Sequence, residues 1–270
     1  MLKFFTQRVN SLVLSFVLFL IVLLGLPSVA DADKTPKSVV FDPSSKLVNV
    51  AAIYETTPTT QKDIISSVMK SSKSLFKKTP GFSSLSVLKS EDGARVVTLT
   101  QWQDSESYQA FVAQPAEEST KSSKKGKADK EDKATVAPNR TVIFEIDKTQ
   151  APEGILPAIR GQAALVQFSE ITAKAPDDQS KLLTSVEELL PDAAKMYPAP
   201  QSVVLLRGVD SSNVALLANW GYTANEFTDL SKAPTFEPLS EDVASLADND
   251  QHLYEVVKLV SAKSKSKDKE

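Results

Sequence analysis

From Leu47 to Glu55 apolar and polar positions alternate, and Val48, Val50, Ala52 and Tyr54 share one side, as on a strand with one buried face. The period then changes. Ile64, Ile65, Val68, Met69, Leu75 and Phe76 recur at three- and four-residue steps, which predicts a helix over 61–78 with one apolar stripe. Thr60-x-x-Asp63 reads as its capping box, and Pro80-Gly81 ends it. Alternation returns over Ser84 to Ser90 and Arg95 to Trp102, two strands joined by the hairpin dipeptide Asp92-Gly93. A short helix is expected from Ser105, with Tyr108 and Phe111 inward, and Thr141 to Ile146 is expected as a closing strand.

The second half repeats this order: strand 164–171, helix 177–190, strands 202–207 and 213–220, a short helix from Thr223, and a strand 252–260. Leu182, Val186, Leu189, Leu190 and Ala193 form its helical stripe, Pro191 is expected to break or kink it, and Thr223-x-x-Glu226 is a second capping box. Laid on itself at an offset of 118 the chain matches without gaps from Pro80 on Pro198, through Asp92 on Asp210, to Trp102 on Trp220, its only two tryptophans. Ala52-Ile53-Tyr54-Glu55 resembles Gln167-Phe168-Ser169-Glu170, and Val142–Ile146 resembles His252–Val256. Four segments in one order point to a tandem duplication. The expected fold class is α+β: two ferredoxin-like β-α-β-β-α-β units whose bare sheet faces cover each other, a dimeric α+β barrel within one chain.

Composition refines the boundaries. Residues 1–30 place Lys3 and Arg8 before an apolar run from Leu12 to Leu26 and small residues at Ser28, Ala30 and Ala32, the order of a signal peptide. An uncleaved anchor is the alternative, since the run approaches the ~17 residues that span a bilayer; a membrane is an expected partner only in that case. Export to a periplasmic, lumenal or extracellular compartment is expected either way. The first domain is expected over 47–149 with a lysine-rich insertion at 114–140, a linker over 150–162, the second domain over 163–260, and a charged tail over 261–270. The insertion's core, 119–133, has six lysines and three acids and almost nothing apolar to bury.

The formal charge of −3 offers no basic field for a phosphate backbone, so nucleic acid is an unexpected partner. With no cysteine and one histidine, His252, Cys/His metal sites, disulfides and a thiol nucleophile are excluded. No phosphate-cradling glycine motif and no G-x-S-x-G elbow occurs. His252, placed at the start of the closing strand, reads as structural, and Glu187-Glu188 reads as solvated. Asn139-Arg140-Thr141 matches a glycosylation sequon. Glu55 and Glu170 recur at the ends of the two first strands, where a solvent-facing charge and a shared role are both open.

An aromatic ending the third strand and followed by a helix cap also recurs, as Leu99-Thr100-Gln101-Trp102-Gln103-Asp104-Ser105-Glu106 and Leu217-Ala218-Asn219-Trp220-Gly221-Tyr222-Thr223-Ala224. Together with Pro80-Gly81-Phe82, Asp92-Gly93, Phe144-Glu145-Ile146 and Tyr254-Glu255-Val256, this resembles the antibiotic biosynthesis monooxygenase family of dimeric α+β barrels. The resemblance implies cavities between helices and sheet bordered by Trp102 and Trp220. Tyr54 and Tyr108 would line one and Asn219 and Tyr222 the other; Trp102, Trp220 and Asn219 become candidate catalytic residues. Haem-degrading members need an Asn on strand one and a His on the helix after the Trp; Tyr54-Glu55-Thr56, Ser169-Glu170-Ile171 and the His-free segments 105–113 and 223–230 depart from that pattern. The implied function is therefore monooxygenation of a small aromatic or quinoid molecule with no metal or cofactor. The alternative is an exported binding or scaffold protein that keeps the fold without the chemistry.

Overall fold

The computed structural model describes residues 38–75, 79–113, 136–209, 211–227 and 229–261. The signal segment 1–30, most of the lysine-rich insertion and the tail beyond Ser261 lie outside the described residues. The elements are β1 (Ser38–Val40), β2 (Val48–Glu55), α1 (Gln61–Leu75), β3 (Phe82–Ser90), β4 (Arg95–Trp102), α2 (Ser105–Val112), β5 (Arg140–Gln150), β6 (Ala158–Arg160), β7 (Ala164–Ala173), α3 (Gln179–Ala193), β8 (Ser202–Gly208), β9 (Asn213–Thr223), α4 (Glu241–Ala244) and β10 (Ala247–Ser261). Eight antiparallel strands close a barrel in the order β10-β3-β4-β2-β5-β8-β9-β7.

Within this circle β3-β4-β2-β5 and β8-β9-β7-β10 have the same internal order, second-third-first-fourth, and they join edge to edge at β5·β8 and β10·β3. Strand alternation then sorts the apolar residues into three clusters. Ala51, Ile53, Val97, Leu99, Phe144, Val166, Phe168, Leu217, Tyr254 and Val256 fill the interior. Outward residues of the first half, such as Val48, Val50, Leu85, Val87 and Trp102, pack with Val68 of α1. Those of the second half, such as Val203, Leu205, Val214, Leu216 and Trp220, pack under Leu182, Val186 and Leu190 of α3. Edge pairing on both sides leaves neither half with a free sheet edge.

Two features tie each helix to its hairpin. The Gln61 amide donates to the Ser90 and Arg95 carbonyls at 2.8 and 3.1 Å, and Gln179, 118 positions later, donates to Gly208, Ser211 and Asn213. In the first hairpin Gly93 takes φ +77°, while the Asp92 carboxylate accepts from the Ser90 hydroxyl and the Ala94 amide.

Several expectations are corrected. Pro191 does not break α3, because it lies in the last turn, where one missing donor and two further residues to Ala193 cost little. Thr223 and Glu226 do form their box, but it opens a single 3₁₀ turn, Ala224–Glu226, and the helix expected there is absent. His252 sits in the middle of a 15-residue strand, not at its start. The expected linker 150–162 holds β6, which pairs with β1 in a separate two-stranded ribbon. Val39 and Ile159 of that ribbon, with Phe41 just after it, belong to the interior cluster and stopper one end of the barrel. The Gln101 amide donates to the Val40 carbonyl and the Asn219 amide to that of Ala158. Val40 and Ala158 face each other in the ribbon, so two residues 118 apart hold two partners of one rung.

Candidate functional site

On the outer face of the first half a cavity of about 390 Å³ opens between sheet and helices, inside the ~300–1,000 Å³ range of small-molecule sites. Strand residues Val50, Ala52, Tyr54, Leu85, Thr98, Thr100 and Trp102 form its floor, Val68 of α1 and Tyr108 and Phe111 of α2 its walls. Residues 136–138 and Thr141 complete the rim. The alternation read from the sequence places these strand residues on one face, and the Asp104 side chain caps α2 by accepting from the Ser107 amide at 2.7 Å. That cap fixes where Tyr108 and Phe111 point.

Trp102 is the anchor of this wall. Its ring meets Phe82 edge-on at 5.6 Å, Tyr108 at 5.6 Å and Phe111 at 5.0 Å. Its indole N–H donates to the Thr100 hydroxyl at 2.9 Å, and that hydroxyl donates weakly to the Val50 carbonyl at 3.4 Å. Both groups are thus committed within the protein and offer a ligand only surface. The Tyr54 and Tyr108 phenols are different. Burial pushes the titration of both upward, and Tyr108 adds to the rise at Tyr54, so both stay protonated at neutral pH. Among the described residues no charged side chain lines the cavity.

Tyr54, Trp102 and Tyr108 therefore converge on one site, as the sequence expects. The second trio does not form its counterpart. Trp220 is 2% exposed within the cluster under α3, where Phe236 and Val243 from the long β9–β10 connection, with Ala247 at the start of β10, occupy the face that α2 leaves free in the first half. The buried Gln167 side chain clips that connection in place: it donates to the Phe236 carbonyl at 2.6 Å and accepts from the Phe236 amide at 2.7 Å. Asn219 lies on the opposite side of its strand from Trp220, holding the ribbon, and Tyr222 packs edge-on against Phe227 at 5.8 Å. The register explains the filling. Thr98 and Thr100 correspond to Leu216 and Ala218, and Tyr54 corresponds to Ile171, so the polar groups of the open cavity are aliphatic here.

At the barrel end opposite the ribbon lies an ionic cluster that the sequence reading missed. Arg140 reaches Glu170 and Asp250 at 2.6 Å each and Glu55 at 3.5 Å. Arg95 reaches Asp250 at 3.1 Å, and Asn213 donates to Glu170 at 2.8 Å. His252 bridges Asp92 and Asp250 at 2.6 and 2.8 Å, which requires both ring nitrogens to donate. The His252 hydrogen bond, against burial and together with those from Arg140 and Arg95, holds Asp250 far below the usual carboxylate range. The same bond to Asp250, against burial and with Asp92, raises His252. Glu55 and Glu170 do meet at one arginine, but not as equivalents: Val97 faces Ile53 and Ala215 faces Glu170, so Ile53 is the register match of Glu170. Arg140 faces Ile53 and Asp250 faces Glu170, which makes this ion pair a pair of equivalent positions with opposite charge. An alignment at offset 110 carries that signal, Arg140 on Asp250, two positions before the matched segment. Among the described residues no group of three or more His, Asp or Glu side chains is placed to hold a metal ion.

No family model and no curated protein matches the chain. Its fold is similar to that of an anthrone oxidase-like protein, with a TM-score of 0.58 at 16% identity over 85% of this chain and 98% of that one. A ferredoxin-fold protein from Listeria monocytogenes, related to antibiotic biosynthesis monooxygenases, covers 78% of this chain and 95% of its own at 11% identity and a TM-score of 0.38. A monooxygenase-like protein from Listeria innocua covers the same shares at 10% identity and a TM-score of 0.40. The resemblance to antibiotic biosynthesis monooxygenases read from the sequence holds for the fold, an α+β frame around a strand-rich barrel.

Proposed function

We propose that the first half binds a small aromatic or quinoid molecule and monooxygenates it without metal or flavin, while the second half serves as its frame. The observation that carries this is the aromatic-walled cavity of about 390 Å³ at Trp102, in a fold similar to that of an anthrone oxidase-like protein. The fitting reaction converts a ring methylene to a carbonyl: CH₂ + O₂ → C=O + H₂O, with the substrate itself supplying the electrons. Tyr54 and Tyr108, held protonated, would donate to the ligand oxygen as it gains charge, and the apolar walls would exclude water. Binding without chemistry is the second reading, favoured by one observation: the described lining residues offer hydroxyls but no side chain able to act as a base at neutral pH. The same proposal takes the chain to be a duplicated unit that makes its own dimeric barrel, exported by its first 30 residues. Matching placements of Gln61 and Gln179, Gln101 and Asn219, and Trp102 and Trp220 support the duplication. The test is oxygen uptake with anthrones and hydroquinones and no added cofactor. Turnover is expected to vanish in Ala52→Trp, which fills the cavity, and to survive in Trp220→Phe. Absence of both turnover and binding across the panel would overturn the proposal.

A further inference from the structure

We infer that this cavity takes its ligand in uncharged form, with a carbonyl or quinone oxygen facing Tyr54 and Tyr108, and rejects the matching anion; the inference rests on the aromatic-site reading above. The lining decides the charge. Among the described residues fourteen surround the space and none of these carries a formal charge. An anion entering would lose its hydration with no cation among the described lining residues to meet it, and a buried unpaired charge is among the costliest things a site can hold. The hydrogen-bonding inventory decides the functional group. Trp102 and Thr100 are committed to each other and to Val50, whereas the hydroxyls of Tyr54, Thr98, Tyr108 and Thr141 have no hydrogen-bond partner among the described residues. Two of these are phenols whose protons are retained, and Tyr108 stands edge-on to the Trp102 ring at 5.6 Å. A flat ligand resting on the Trp102 wall can therefore point an acceptor oxygen at phenolic donors. The counterpart positions of the second half, Ile171, Leu216 and Ala218, offer no such donor, so the preference belongs to the first half alone.

A matched ligand series tests this by calorimetry on the purified full chain: 2-acetylnaphthalene, the nearly isosteric 2-naphthoate, and naphthalene. The ketone is expected to bind at least tenfold more tightly than the carboxylate. Replacing both phenols, Tyr54→Phe with Tyr108→Phe, is expected to weaken the ketone at least threefold while leaving naphthalene unchanged, which also shows that the cavity survives the change. Equal or tighter binding of 2-naphthoate, or a ketone affinity indifferent to both hydroxyls, overturns the charge selectivity and leaves the aromatic site standing. Failure of all three ligands to bind overturns the aromatic site itself and this inference with it.

Discussion

The two outer faces of the barrel start from the same strand order and end differently. In the first half Trp102 is roofed by an eight-residue helix that stands off the sheet and leaves a cavity. In the second half Trp220 is roofed by a connection drawn down onto the sheet through Gln167. The difference is traceable to few residues. Where the open face has Thr98, Thr100 and Tyr54, the filled face has Leu216, Ala218 and Ile171. One consequence is visible at the indoles: Trp102 finds an acceptor two residues back, whereas Trp220, with Ala218 there, is buried with no acceptor among the described residues. Two halves with one strand order can thus keep a common framework while only one of them leaves a cavity at its tryptophan.

The largest expected effect comes from truncating the two tryptophans. Trp220→Ala should cost about 3–5 kcal/mol, as for large core aromatics, and Trp102→Ala should cost less because its environment already borders open space. Urea unfolding of both variants measures the contrast, and an equal or larger loss at Trp102 would break it. Next, Gln167→Leu leaves the Phe236 amide and carbonyl unpaired and should cost about 2–3 kcal/mol. The same variant should speed hydrogen exchange in 227–246 more than in β7. At the indoles, Thr100→Val removes an acceptor and should cost about 1–2 kcal/mol, while Ala218→Ser supplies one to Trp220 and should recover at most about 1 kcal/mol. A gain at both positions would mean that the missing acceptor is not what separates the halves.

The smallest effect is on pH dependence, which reports the seam rather than the faces. His252, raised above its ordinary value near 6.5, contributes stability that is full below that value and is lost as pH climbs through the raised one. Asp250, lowered from about 3.8, contributes stability present above that value and lost as pH falls through the depressed one. Stability should therefore peak between about 4 and 6.5. His252→Gln should flatten the alkaline limb and leave the acid limb sloped, as read from thermal midpoints across pH 3 to 9. An unchanged alkaline limb would assign that loss to other groups.

Long alternations, the helical stripe of α1 and the paired tryptophans were legible in the sequence because each extends over enough positions to show a period. The three-residue strands β1 and β6 were not, since a period cannot be read from three residues and their burial depends on partners more than a hundred positions away. The box at Thr223 forms as read, but it opens only a 3₁₀ turn, because a cap says nothing of whether the following residues continue a helix. Of the site, alternation and helix phase turn Tyr54 and Tyr108 inward, and it is the family resemblance that makes them and Trp102 pocket candidates. Thr98, Thr100 and Thr141 were passed over because threonine on a strand is so often only a strand former. Gln61 with Gln179, and Gln101 with Asn219, stood at the 118-residue offset all along. The charge-reversed Arg140 and Asp250 were hidden because comparing the halves rewards likeness, and complementarity between matched positions is its opposite.

The ribbon at the barrel's end also constrains the order in which the chain acquires its structure. Its first strand lies at Ser38–Val40, ahead of every barrel strand, yet its partner Ala158–Arg160 comes after the whole first half. During synthesis the opening strand therefore waits, unpaired, for more than a hundred residues before it can close its rung. Contacts of such separation are slow to form. The first half, although it carries the cavity, gains the ribbon at its end only after its own strands have been made, and its edge strand β3 meets its partner β10 only with the last strand of the barrel.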